Sequence, residues 1–82
     1  MPDFKVGTVT HYFDKIGVAV VDLTGDLSVG DKVRIGNPGL IQEIKSIQVE
    51  HEKIESAGKG ESIGLKVDEP VKKGDEVFKT SL

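Results

Sequence analysis

Apolar and polar residues alternate along this chain in short runs, and turn residues interrupt the runs at close intervals. In "ESIGLKV", Ile63, Leu65 and Val67 fall on one face and Ser62, Gly64 and Lys66 on the other, the two-residue period of a half-buried strand. "DKVRI" sends Val33 and Ile35 inward and Lys32 and Arg34 outward. Upstream, "FKVGTVTHYF" and "GVAVVDL" flank Asp14-Lys15-Ile16 and predict a hairpin. Gly7 inside its first strand predicts a bulge or a close backbone approach. "NPGL" predicts a tight turn into one long strand, "IQEIKSIQVEHEKI". There Ile41, Ile47 and Val49 share a parity that Ile44 breaks, so a bulge or bend is expected near Lys45-Ser46. No segment sustains a helical period. The expected fold is all-β: six strands closed into an antiparallel barrel, which would leave no exposed sheet edge.

The punctuation carries a repeat. "LSVGDKVRI" and "VKKGDEVFK" both read apolar-x-x-Gly-Asp-x-Val, with Gly30-Asp31 in one and Gly74-Asp75 in the other. Thr24-Gly25-Asp26 and Ala57-Gly58-Lys59-Gly60 mark two further turns. Glycine reaches positive φ without a Cβ clash, and an aspartate side chain accepts backbone N–H groups within a turn. The competing reading is a nest of N–H groups for a phosphate, which the aspartate in the same turn would repel. The doublet therefore reads as two equivalent structural corners.

At 82 residues the chain is expected to form one domain, with a barrel core over about 4–80. Aromatics are scarce, so the core must come from Val, Ile and Leu, with several of Phe4, Tyr12, Phe13 and Phe78 joining it. The lack of cysteine removes disulfides and thiolate chemistry and fits a reducing compartment. No secretory signal and no membrane-length apolar run stand in the sequence, so a soluble, cytoplasmic protein is expected. A net charge of −3 argues against bulk electrostatic binding of nucleic acid. A local basic face is the remaining route: Lys32, Arg34, Lys45 and Lys66 point outward, against the plainer reading of a solvated surface with interleaved glutamates. His11 and His51 lack metal-ligand spacing and read as solvated strand residues. Asp22, Asp26 and Asp31 lack the alternating oxygens of a calcium loop, and no serine sits in a nucleophile elbow. No metal, cofactor or enzymatic activity is expected.

Taken in order, "VGTV", "LSVGDKVRI", the long Lys/Ser/Ile-rich strand, "AGKGESIGLKV" and "VKKGDEVF" resemble the β-barrel second domain of translational GTPases such as elongation factor Tu and initiation factor two. The resemblance spans about residues 5–79. The barrel is also similar to the C-terminal module of some collagenase-like peptidases. No phosphate loop is present, so GTP binding is not expected. In the elongation factor, an arginine before the first Gly-Thr-Val helps hold the aminoacylated end of tRNA, and Val6 stands in its place here. Glu61 keeps the family's acidic position and Ser62 replaces its asparagine. The resemblance implies a non-catalytic translation-associated module. It would contact ribosomal or transfer RNA, or a ribosomal protein, through Lys32, Arg34, Lys45, Lys59, Glu61, Ser62 and Lys66. The alternative is a protein-interaction barrel serving a separately encoded enzyme such as a collagenase-like peptidase.

Overall fold

In the computed structural model, residues 4–36, 40–49 and 52–80 are described, and their β-branched runs form ten strands. These are β1 (Phe4–Phe13), β2 (Val18–Leu23), β3 (Leu27–Ser28), β4 (Lys32–Ile35), β5 (Leu40–Glu43), β6 (Ile47–Val49), β7 (Glu52–Ile54), β8 (Ser56–Ala57), β9 (Ser62–Lys66) and β10 (Glu76–Lys79). Eight of them make one antiparallel sheet in the order β5-β4-β10-β1-β2-β9-β6-β7, and β3 pairs with β8 as a separate ribbon. The expected six-stranded closed barrel is therefore corrected to a curled eight-stranded sheet, in which no ladder joins the margins β5 and β7 among the described residues.

The difference arises in residues 41–54, which were expected to run as one strand. Ile44 and Ile47 are both fully buried, so the inward face changes parity across Lys45-Ser46, where the bend was expected. Ile41, expected inward, is 59% exposed, and Gln42 takes the inward position. Beyond the bend the chain folds back on itself, with Ile47 opposite Ile54 and Val49 opposite Glu52. No Gly, Pro, Asn or Asp marks that reversal, so the hydrophobic pattern runs straight through it. The "NPGL" turn (37–39) and His51 lie outside the described residues.

Elsewhere the strand phases hold. β1 and β2 form the expected hairpin, and Gly17 at φ 65 lets its N–H reach Phe13 O at 2.9 Å. The β1–β10 register shifts between Lys5 and Gly7, which makes Val6 the extra, buried residue of a bulge. Gly7 is also a close approach, because a Cβ there would stand 2.8 Å from Asp22 O. The buried apolar residues are all aliphatic: Phe4 and Phe13 are exposed, Phe78 is half-buried, and Tyr12 alone of the four aromatics packs, half-buried, against the core. The expectation of aromatic core residues is corrected accordingly. The inner positions are spaced for Val, Ile and Leu, each of which stabilises the fold by about 1.5–3 kcal/mol when fully buried.

The Gly-Asp doublet proves to be a triplet. Gly30, Gly60 and Gly74 adopt φ of 96, 92 and 94, each as the third residue of a turn whose fourth residue is Asp31, Glu61 or Asp75. In every case the fourth residue's N–H donates to the first residue's carbonyl, and its carboxylate accepts from the first residue's N–H. The carboxylate bonds are Ser28 N to Asp31 at 2.9 Å, Gly58 N to Glu61 at 2.7 Å and Lys72 N to Asp75 at 2.9 Å. Each turn then grips one distant residue from both sides: Val9 in β1, Leu23 in β2, or Ile44 just past the end of β5. Gly30 N donates to Ile44 O (2.9 Å) while Ile44 N donates to Asp31 O (2.8 Å). Gly60 and Glu61 hold Leu23 in the same way, at 3.0 and 2.8 Å, and Gly74 and Asp75 hold Val9 at 2.7 and 2.8 Å. Val9, Leu23 and Ile44 are all buried. The turns thus fix three points of the core, not only three reversals of the chain.

A second device works where β5 runs past the end of β9. Gln42, the one buried polar residue among those described, donates from Nε2 to Lys66 O and accepts at Oε1 from Asp68 N, both at 2.9 Å. Its amide imitates a peptide group and supplies the pairing that the backbone ladder lacks there.

Two stability tests follow from these arrangements. Replacing Gln42 with Leu leaves the part-buried Lys66 carbonyl and Asp68 N–H without this partner, and is expected to cost about 1–3 kcal/mol, read as a lower urea midpoint with an unchanged slope. Gly30→Ala, Gly60→Ala and Gly74→Ala meet no atom within 4 Å, so their cost is conformational. Each should lose about 1–2 kcal/mol by left-handed strain alone, and the three losses should add in the same urea assay.

Candidate functional site: the outer face of β4, β10 and β1

Because Val33 and Ile35 fill the core, Lys32 and Arg34 face outward on β4, as the alternation requires. β4 lies between β5 and β10, which sets Arg34 opposite Ile41 on one side and Phe78 on the other. The Arg34 guanidinium carbon stands 4.8 Å from the Phe78 ring centroid, a cation–π contact worth about 0.5–1 kcal/mol at an exposed site. On the next strand Lys5 lies opposite Phe78, and its Nζ is 3.0 Å from Glu76 Oε2. Ile41, Arg34, Phe78 and Lys5 thus form a row across four strands. It runs beside an open groove of about 590 Å³, whose wall includes Thr8, Gly36 and the Gly74-Asp75 turn. Carboxylates and cations alternate along this groove, so its field is mixed in sign.

The other predicted residues lie elsewhere. Lys32 is exposed opposite Glu43. Lys45, at the bend, lies 3.8 Å from Asp68. Lys66 donates to Ile16 O at 2.8 Å and ties the end of β9 to the β1–β2 turn. Lys59 is exposed in the third Gly-acid turn, where Glu61 caps Gly58 N. Ser62 Oγ donates to the Asp22 carboxylate. Strands β10, β1 and β2 separate β4 from β9, so Arg34 and Lys66 sit on different sides of the curl. The structure brings Lys32 together with Arg34, and Lys59 with Glu61 and Ser62; it does not gather all seven on one face. Val6, in the place of the family's arginine, points into the core.

The phosphate-nest alternative for the doublet lacks its principal donors. The glycine and aspartate N–H groups of both turns are spent on backbone carbonyls, and the carboxylates occupy the Ser28 and Lys72 N–H groups. Asp31 also meets Lys79 Nζ at 3.3 Å. His11 stacks on Phe13, with ring centroids 6.3 Å apart, and its Nδ1 lies 3.4 Å from Thr10 Oγ1. Among the described residues no group of three or more His, Cys, Asp and Glu side chains is placed to hold a metal ion. Among the described residues no helix is long and apolar enough to cross a membrane.

Sequence reasoning passed over Ile41, Phe78 and Lys5 as site residues. The signal for Phe78 was present, since it follows the inward Val77 and must point out. Ile41 was hidden by the parity change at the bend.

No family model matches the chain. It is 36% identical over 77 residues to an uncharacterized protease of Methanocaldococcus jannaschii, and 33% identical over 78 residues to a collagenase of Porphyromonas gingivalis. Each match takes in 90% of this chain. It is 42% identical over 85 residues to elongation factor 1-alpha of Pyrobaculum aerophilum. The chain spans only about a fifth of the length of these relatives, 19%, 22% and 18% respectively. Among solved structures, the C-terminal domain of a putative U32 peptidase from Geobacillus thermoleovorans superposes with a TM-score of 0.87 at 24% identity, covering 96% of this chain and 93% of that one. A bacterial selenocysteine-specific elongation factor superposes with a TM-score of 0.76, also at 24% identity, covering 94% of this chain and 14% of the factor. The fold is therefore the all-β module that these peptidase and translation-factor chains carry.

Proposed function

We propose that this chain is a non-catalytic accessory module of a collagenase-like peptidase, and that it docks on protein through the outer face of β4, β10 and β1. The observation that carries the reading is the match, over nine-tenths of the chain, to a protease and a collagenase, together with the near-complete superposition on a peptidase C-terminal domain. The face itself agrees. An arginine stacked on a phenylalanine beside an exposed isoleucine is the composition of a protein-docking anchor, and charges of both signs around the groove suit a protein surface better than a run of phosphates.

A second reading, contact with ribosomal or transfer RNA, is favoured by the elongation factor relatives. Against it, Lys5 and Lys45 lie within ion-pair distance of carboxylates, and the Lys66 ammonium is held by a carbonyl.

A graft separates the two. The matching fifth of the Methanocaldococcus jannaschii protease is replaced by this chain, and peptide hydrolysis and thermal stability are compared with the intact and truncated proteins. The accessory reading predicts that the graft recovers most of what truncation removes, and that Arg34→Ala with Phe78→Ala loses it again by about tenfold, the effect of 1.4 kcal/mol. A graft no better than the truncated protein, with the free chain pelleting with ribosomes at low salt and released at high salt, would establish the RNA reading instead.

A further inference from the structure

Two outward rows of opposite character cross the groove on β4, β10 and β1. In the first, Phe78 stands between two cations, with Arg34 opposite it on one side and Lys5 on the other. The second row lies two residues along β4 and β10. Gly36 N donates to Glu76 O, Glu76 lies opposite Thr8, Thr8 opposite Asp22 and Asp22 opposite Ser62. That row carries the carboxylates of Glu76 and Asp22 and no cation. Lys5 and Thr8 are three residues apart and would fall on opposite faces of a regular strand. The register shift at Val6 turns both outward and so brings the two rows into line across β1.

We propose, on the protein-docking reading of this face, that its groove takes an extended segment of the partner protein that carries an acidic and a basic residue two positions apart.

Spacing and charge select that occupant. Residues i and i+2 of an extended chain point the same way, about 6.6 Å apart. The two rows have the same separation, because Phe78 and Glu76 are themselves i and i+2 on one strand. A segment laid along the strands therefore sets its acid over the Arg34–Lys5 row as its base meets the Glu76 row. Lys5 and Glu76 already lie 3.0 Å apart across the rows, and both are about half exposed. An incoming acid and base extend that pair into a ring of four charges of alternating sign. Gly36 and Gly74 add no side chain to the groove wall, so the backbone of an incoming chain can come close. A phosphate chain fits less well, since it would meet Asp75 and Glu76 in the same groove as Arg34 and Lys5. A wholly basic segment meets the reverse obstacle.

Fluorescence anisotropy on the full chain, with labelled synthetic peptides of about nine residues rich in threonine and valine, tests this. One peptide carries Glu-x-Lys, with both charges on one face. An isomer of the same composition has its Glu and Lys adjacent, and so on opposite faces. Two more carry Glu-x-Glu and Lys-x-Lys. On the unaltered chain the Glu-x-Lys peptide should bind best, by about fivefold over its isomer, the scale of effect that exposed ion pairs carry. Arg34→Glu should pass the preference to Lys-x-Lys, and Glu76→Lys should pass it to Glu-x-Glu. A merely structural defect produces no such exchange, and circular dichroism with the urea midpoint establishes that each variant is folded. Equal binding of the two isomers, a preference of the unaltered chain for Glu-x-Glu, variants that weaken every peptide alike, or no binding up to about 1 mM would each overturn the proposal. The graft reads docking without these peptides, so a graft that works while the isomers bind alike would overturn this inference alone and leave the docking face in place.

Discussion

A glycine N–H and the carbonyl of the acidic residue after it close on one buried core residue, and this contact is made three times. Gly30-Asp31 holds Ile44, Gly60-Glu61 holds Leu23 and Gly74-Asp75 holds Val9. Each bracket needs a positive φ that only glycine adopts without strain. Each also needs a carboxylate that holds the turn shut from inside. A chain this short has little apolar surface to bury, and the brackets let three turns serve as core contacts. Asp31 and Asp75 each stand immediately before the strand they launch, β4 and β10, so the brackets also set which way those strands face.

The functional surfaces follow from that phase. Once Val33, Ile35 and Val77 are inside, Arg34 and Phe78 must meet outside on neighbouring strands. Once Ile63 and Leu65 are inside, Gly64 must lie on the outer face between Val20 and Gln48. The β4–β10–β1 side of the curl is therefore mixed in charge and grooved, while Val18 and Val20 lie on the outer side of β2 next to Gly64. Gln42 joins the β5 segment to the end of β9, where the backbone ladder is missing and the exposed Lys45–Asp68 ion pair is the other polar link among the described residues.

Much of this was legible in the residue pattern. The all-β class, the first hairpin, the bulge at Gly7, the parity change near Lys45 and the outward set on β9 all follow from a two-residue period and glycine placement. The strand count did not. No Gly, Pro, Asn or Asp stands in the sequence between β6 and β7, and an amide side chain replacing backbone pairing leaves no periodic trace. The third bracket was missed because Glu61 stands where the other two have aspartate, and its longer side chain reaches the same N–H. The aromatics were misplaced for a different reason. Scarcity suggested that several would be needed in the core, whereas aliphatic residues fill it and only Tyr12 packs against it. The predicted cations were correctly read as outward, but strand order, which a single sequence does not reveal, distributes them around the curl.

The most direct test of this account is native-state hydrogen exchange at the six bracketing amides, those of Val9, Leu23, Ile44, Gly30, Gly60 and Gly74. If the brackets hold the core together, the three turn glycines exchange as slowly as the three core residues, at a free energy approaching that of global unfolding. Glycine amides that exchange at the rate of the neighbouring exposed turn residues, while the strands stay protected, would show that the core stands without them and would contradict the account.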